Sequence, residues 1–521
     1  MNKYKVIILS LLISFMGASC EDWLYDNVNE DAAHEVLPQQ VLPVVLFYSA
    51  QLQFDHAEYG AYLTQTLTTG GRNQTSSFAY KSGWGDFLTM NRHPQWRRHF
   101  YDIGVNAKEI IDEAHEAQAW NLELIGRTLR LMSTQMTTDL FGDMPRSEAY
   151  ESNSPHYDTQ ESIYEWMNQE IEELIGMYED PTYTEAATNI PIDQSIDRVF
   201  AGDLNKWKHY TYALKARLLL RKLPNWENNA ATCQAIITAV NRALEGWEDV
   251  LYRFDGGNGA QNSPWGEAFG STEQGGLGWE GRGNMLNSAV PTKYFMENIL
   301  GVFESHNNLK GWAEDPRILA FMSARPGPSG TSDSGTEMRY LDTNIGMDVS
   351  YKVDNYPTLF PEVDGKKVSV YTQNTGYVPL FLEEELLLIK AEATYWSGDK
   401  PTARSLTMQA AEINFDRFNL SSIYGSSYTR YRNNYLGNET GTGNYVTTYF
   451  PADGFNIGHI MRQKYVCLYL QPEQWTDMRR YNYSCEENGI QYDNTYVYPG
   501  LKRPNNIYEA HWGDDPKAWI N

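Results

Sequence analysis

The sequence lacks the short motifs that mark the common catalytic centres. Its ten histidines form no HExxH pair and its four cysteines no CxxC spacing, which excludes the usual zinc arrangements. Neither a GxxxxGK phosphate loop nor a GxSxG elbow occurs. Asp255-Gly256-Gly257-Asn258 has the wrong pattern for an EF-hand, so a structural calcium held by loop carbonyls has no motif behind it and no cofactor is expected. Basic charge is also scarce. With 42 Lys and Arg against 67 Asp and Glu, the net charge is −25 at pH 7, and such a field disfavours nucleic acid as a partner. The apolar run from Val6 to Met16 is too short to span a bilayer.

What the chain does have in quantity is aromatic rings. Its 36 Tyr and 15 Trp suit surfaces where apolar faces meet polar ligands, although most single rings are expected to serve packing. The N-terminus carries an address. Lys3 and Lys5 precede the apolar run, Gly17, Ala18 and Ser19 are small, and Cys20 follows, so residues 1–19 read as a signal peptide. The site resembles a bacterial lipobox, with Gly17 where an aliphatic residue is usual, and Cys20 is the expected lipidation site. Acyl chains buried at about 0.8 kcal/mol per methylene would then hold the chain to a membrane. Glu21 and Asp22 resemble the surface-export signal of Bacteroidetes lipoproteins, on a tether of residues 20–36. Cys233, Cys467 and Cys485 are expected as separate thiols, although Cys467 and Cys485 are free to pair.

Periodicity predicts a helical protein organised around NLELIGRTLRLMSTQMTTDLFGDMP, residues 121–145. Ile125, Leu129, Met132, Met136 and Leu140 form one apolar stripe, and Gly142 marks the stop. Further helices are predicted over about 37–67, from Trp96, around 163–178, over 204–223 and around 233–244. The basic residues Lys215, Arg217, Arg221 and Lys222 are expected to serve the end of their helix dipole. A hairpin follows: Leu382 to Trp396, a turn at Ser397–Pro401, and Ala403 to Ile413, with spacing like a tetratricopeptide repeat. Glu383, Glu384 and Glu385 are expected to form a solvated first turn. Residues 249–379 and 420–456 lose periodicity and read as loop-rich inserts. The last helical stretch is expected to end near Leu470 and turn at Pro472.

Several segments in order, CEDWLYDNVNED, WRRHFYDIGVNAKEII, LRLMSTQMTTDLFGDMPRSEA, KWKHYTYALKARLLLRK, DPRI, FLEEELLLIKAEATYWSGD, RQKYVCLYLQPEQWTDMRR and LKRPNNIYEA, resemble the SusD/RagB family of outer-membrane nutrient-binding lipoproteins. Tyr465 stands where that pattern usually has tryptophan. The resemblance implies a mainly α fold, with tetratricopeptide-like hairpins at 37–248 and 380–418 packed on a loop-rich, ligand-binding half, in one domain spanning 37–521. It implies a surface-exposed, lipid-anchored protein that captures an oligosaccharide for a SusC-like TonB-dependent transporter and does not cleave it. The family's ligand loops correspond here to regions offering Arg72, Asn73, Tyr80, Trp84, Trp265, Trp279 and Arg282 as ligand-binding candidates. Peptide capture, a glycan-active enzyme and a helical scaffold for a protein partner are the alternatives.

Overall fold

The computed structural model of the protein describes residues 37–68, 94–224, 229–257, 261–268, 285–287, 289–302, 313–326, 336–338, 340, 356–437 and 445–502. The fold is mainly helical, as the periodicity predicts. Helix α1 spans Pro38–Leu63, with Pro38 in its first turn, where a missing N–H costs nothing. Every residue from Ser49 to Tyr62 is buried, so α1 runs through the interior and not along a surface. It stops four residues earlier than expected. Thr64 caps it, its hydroxyl donating to the Gly60 carbonyl at 2.8 Å. Leu67–Thr68, β1, then pairs antiparallel with Val290–Pro291, β3.

A turn of helix at Pro94–Arg97 leads into a π-helical segment, Arg98–Val105, and then α2, Asn106–Glu116. Helix α3, Trp120–Phe141, is the organising segment, and Gly142 closes it at φ 76°. Ile125, Leu129, Met132 and Met136 of its predicted stripe are buried and Leu140 is half-buried, but nearly every other face is covered too. Arg127, off the stripe, pairs with Glu170 at 2.8 Å inside the protein. Gly126 lets α2 approach, since a Cβ there would sit 3.2 Å from Ile110. Helices α4, Gln160–Glu179, and α5, Leu204–Leu220, start on the caps Thr159 and Asp203. Helix α6, Asn229–Leu244, completes the first series.

The second series is α7, Glu383–Trp396, α8, Lys400–Arg417, α9, Leu420–Leu436, α10, Ile457–Cys467, and α11, Glu473–Arg480. From α2 to α8 each helix packs on the next, and α11 comes back onto α1. Helix α6 meets α7 directly although more than a hundred residues separate them. The two ends of that long excursion are joined by β2, Val250–Arg253, pairing antiparallel with β8, Tyr377–Phe381. Within it lie two two-residue ladders, Arg325–Pro326 with Thr336–Glu337 (β4 with β5) and Glu362–Val363 with Lys366–Lys367 (β6 with β7). Arg317 of the DPRI segment fastens the excursion to the helices. It pairs with Asp315 and donates to Gln463 at 2.8 Å and Asn414 at 3.2 Å.

Four expectations need correction. Glu384 and Glu385 are not solvated; both are buried, bonded to Arg417 and Arg217 respectively. Arg217 and Arg221 are not dipole decoration but buried partners of acids from other helices. Residues 420–436 are helical, with a break at Gly425, because Leu420, Tyr428, Tyr435 and Leu436 bury an aromatic stripe that polar neighbours mask in the sequence. Beyond Pro472 the chain re-enters a helix, α11, in which Arg480 pairs with Asp477 and with Glu392 of α7. Cys233, Cys467 and Cys485 are free and buried.

Candidate functional site

The predicted ligand residues Arg72, Asn73, Tyr80, Trp84, Trp279 and Arg282, and the lipidation residue Cys20, lie outside the described residues. Trp265 lies inside them and is not a platform. Its ring is 1% exposed and meets Phe54 of α1 edge-on, with centroids 4.6 Å apart. A sugar stacks on a free ring face, and the Trp265 ring is enclosed in the core.

A different set of rings does reach the surface. Trp96, in the turn of helix at Pro94–Arg97, sits among Phe100 (4.6 Å between centroids), Phe141 (5.2 Å) and Tyr157 (6.0 Å, planes 21° apart). Tyr157 is 62% exposed, and Tyr101, beside Phe100 in the chain, is 72% exposed. The loop that presents Tyr157 is laced down. Asp158 bridges to Met144, and its carboxylate accepts from the Arg146 and Ser147 N–H groups at 2.8 and 2.9 Å. Partial burial raises the Asp158 pKa, but these N–H donors outweigh it and hold the carboxyl below the usual range. Flat rings held rigidly at a surface suit stacking against the apolar faces of a sugar or a comparable flat ligand.

Next to this loop, a cleft of about 410 Å³ opens between the end of α3, the start of α4, the end of α5 and α11. Asp139, Tyr164, Arg221, Lys222, Arg479 and Arg480 are among its lining residues. Asp139 is committed: it accepts from Tyr164 Oη and from Arg221 Nε at 2.9 Å. Arg221 reaches on to Glu473 at 2.7 Å. Burial raises the Glu473 pKa, but Arg221 and Arg217 overcome that and hold it at about 2. Arg480 pairs with Glu392 and Asp477.

Arg479 is different. Its Nη1 donates to the Asp139 backbone carbonyl at 2.6 Å, and its guanidinium lies 4.3 Å from the centre of the Trp475 ring. No carboxylate lies within ion-pair distance of it among the described residues. Its Nε and Nη2, and Nη1 of Arg221, are buried without hydrogen-bond partners. Burial pulls the Arg479 pKa below the usual arginine value, which Tyr483 and Asp139 only partly oppose. Leaving such donors unmet costs about 1–3 kcal/mol each. Behind Trp475, His56 is buried with both ring nitrogens unpartnered, and burial followed by the Arg479 charge lowers its pKa to about 3.

Sequence reading noticed Trp96 only as a helix start and did not single out Tyr157, Arg221 or Arg479 as site residues. The signal available was the arginine pair Arg479-Arg480 behind Trp475, but its surroundings come from α3, α4 and α5. Among the described residues no group of three or more His, Cys, Asp or Glu is placed to hold a metal. No helix among them is long and apolar enough to cross a membrane.

The protein is thus a stack of helical hairpins carrying a clasped loop-rich excursion, with a surface cluster of rings and an arginine-lined cleft. Residues 46–498 match the SusD-like family described as starch-binding and associating with the outer membrane, and the chain belongs to that family. No curated protein matches it. Among solved structures, it is similar to a SusD homologue from Parabacteroides distasonis at 19% identity and TM-score 0.59, covering 86% of this chain and 85% of that one. A chitin-binding SusD homologue from Flavobacterium johnsoniae matches at 17% identity and TM-score 0.56, covering 93% and 94%. A SusD/RagB family protein from Bacteroides thetaiotaomicron matches at 16% identity and TM-score 0.54, covering 85% and 87%. At such identities the likeness is one of fold.

Proposed function

We propose that the protein captures an oligosaccharide at the cell surface, lipid-anchored through Cys20, and delivers it uncleaved to a SusC-like TonB-dependent transporter in the outer membrane. The match over residues 46–498 to a family described as starch-binding and outer-membrane-associated carries this reading. The exposed rings around Trp96 and Tyr157 are consistent with it, since stacking gives modest affinity and permits release. Arg72, Asn73, Tyr80, Trp84, Trp279 and Arg282 belong to the proposed ligand surface; Trp265, buried against Phe54, does not. Of the two acids lining the cleft, Asp139 is tied up by arginine and tyrosine and serves structure, which leaves Glu161 alone and not one of the carboxylate pair that glycoside hydrolysis needs.

The test is a binding screen of the mature protein against soluble glycans by affinity electrophoresis and calorimetry, with product analysis on the same samples. Binding with intact glycan supports capture. Released shorter sugars overturn the non-enzymatic part. Globomycin-sensitive processing and membrane fractionation that are both lost in Cys20→Ser support the anchor, and an unchanged fractionation rejects it.

A further inference from the structure

We propose that the cleft between α3, α4, α5 and α11 receives the carboxylate of a hexuronic acid residue, so that the captured glycan is an acidic one. The proposal rests on the capture reading above and adds the ligand's chemistry. Arg221, Lys222, Arg479 and Arg480 line the cleft, in a chain whose net charge is −25. Two acids line the cleft with them, Asp139 and Glu161; Glu161 is exposed on the first turn of α4 and forms an ion pair with none of the four. Both Asp139 oxygens are engaged by Tyr164 and Arg221, and Arg480 is held by Glu392 and Asp477. That leaves Arg479 with no carboxylate among the described residues, and Lys222 exposed at the edge.

Unmet donors say what is missing. Arg221 is 8% exposed in its side chain, yet its Nη1 has no acceptor, and Arg479 has two such nitrogens. A guanidinium fork fits a planar carboxylate in a paired geometry that a neutral hydroxyl cannot reproduce. Trp475 supports the Arg479 guanidinium from one side at 4.3 Å, so the fork is already oriented. A volume of about 410 Å³ falls in the range of small-ligand sites and accommodates one sugar ring with its acid group. Placement joins the two surfaces. Tyr157 of the ring cluster and Gln160 of the cleft lie on either side of the cap Thr159 at the start of α4. A chain laid on the rings therefore has its next residue beside the cationic cleft. An acidic peptide would satisfy the same fork, but the adjoining ring surface favours a sugar.

Calorimetry at fixed ionic strength with sodium glucuronate, its methyl ester, a neutral oligosaccharide panel and a short Asp/Glu peptide tests this. The free acid is expected to bind the wild-type protein at least about tenfold tighter than its ester, as a charge-assisted pair requires. That preference is expected to disappear in Arg479→Gln and to shrink in Lys222→Gln, whose exposed site leaves folding intact. Crystals soaked with glucuronate are expected to show its carboxylate on Arg479. Equal binding of acid and ester, a preference that survives both substitutions, or binding of the peptide in place of the uronate overturns the proposal. If neutral glycans bind while the acid gains nothing, only this inference fails. If glucuronate prefers the cleft while the neutral panel is silent, the cleft stands and the ligand class narrows to acidic sugars.

Discussion

Arg217 of α5 and Glu385 of α7 meet in a two-pronged ion pair across 168 positions of sequence, Nε to Oε1 and Nη2 to Oε2, both at 2.8 Å. Their side chains are 3% and 2% exposed, and the guanidinium also lies over the Phe381 ring at 4.1 Å. Burial disfavours the Arg217 charge, but Glu385 and Glu473 outweigh it. The pair joins the helices before the long excursion to those after it.

Removing one partner strands the other charge in the interior. Glu385→Ala is expected to lower stability by about 3–5 kcal/mol, read as a shift in the urea midpoint. The double variant Arg217→Met with Glu385→Leu is expected to recover most of that loss, because an apolar pair of similar volume leaves no bare charge.

Acid is expected to weaken the fold through its buried histidines. Burial lowers the pKa of His56 and His99 to about 3 and of His459 to about 4. In the unfolded chain each titrates near 6.5, so the folded values are depressed. Their contribution is complete above pH 6.5 and is lost as pH falls towards 4 and then 3, because only the unfolded chain takes up the protons. At pH 5 the loss is about 2 kcal/mol per histidine. Thermal melts at pH 7.5 and pH 5 should show a large drop in midpoint, and His56→Leu should make it smaller.

Tyr465 of α10 fastens a turn through its hydroxyl. It donates to the Thr64 carbonyl at 2.9 Å and lies 2.6 Å from Thr66 Oγ1, pinning the turn between α1 and β1. Tyr465→Phe is expected to cost about 1–3 kcal/mol in chemical denaturation, the penalty for leaving buried polar groups unmet.

The two kinds of tryptophan and tyrosine should separate by assay. Tyr157→Ala is expected to weaken glycan binding by several-fold in calorimetry with a melting midpoint close to wild type, since its ring is mostly exposed. Trp265→Ala is expected to cost about 3–5 kcal/mol in stability, because it empties a core site against Phe54.

What could be read in advance was what repeats locally. The stripe Ile125, Leu129, Met132 and Met136 announces α3, and Ser397-Gly398-Asp399 with Pro401 announces the α7–α8 turn, because neighbours a few residues apart specify both. Glu384 and Glu385 were misread because their partners, Arg417 and Arg217, lie 33 and 168 positions away, and a charge run looks the same whether it meets water or arginine. The cleft was hidden for the same reason. Asp139, Arg221 and Arg479 belong to three separate helices, and nothing local marks Arg479 as lacking an acid. The rings of Trp96 and Tyr157 were visible as residue types, but which rings stay outside is decided by packing.

The clasp of β2 with β8 has a consequence for how such a protein changes over generations. Because Arg253 and Tyr377 face each other, the chain leaves the helical stack and returns to it at one point. The excursion is closed at its base there, Arg317 and the β1–β3 pair tie its interior to the rest, and closing a longer loop between ties costs only about 0.6 kcal/mol for each doubling of its length. The helices can therefore stay fixed while stretches of the excursion between those ties are lengthened or shortened, which makes that side of the molecule tolerant of insertion.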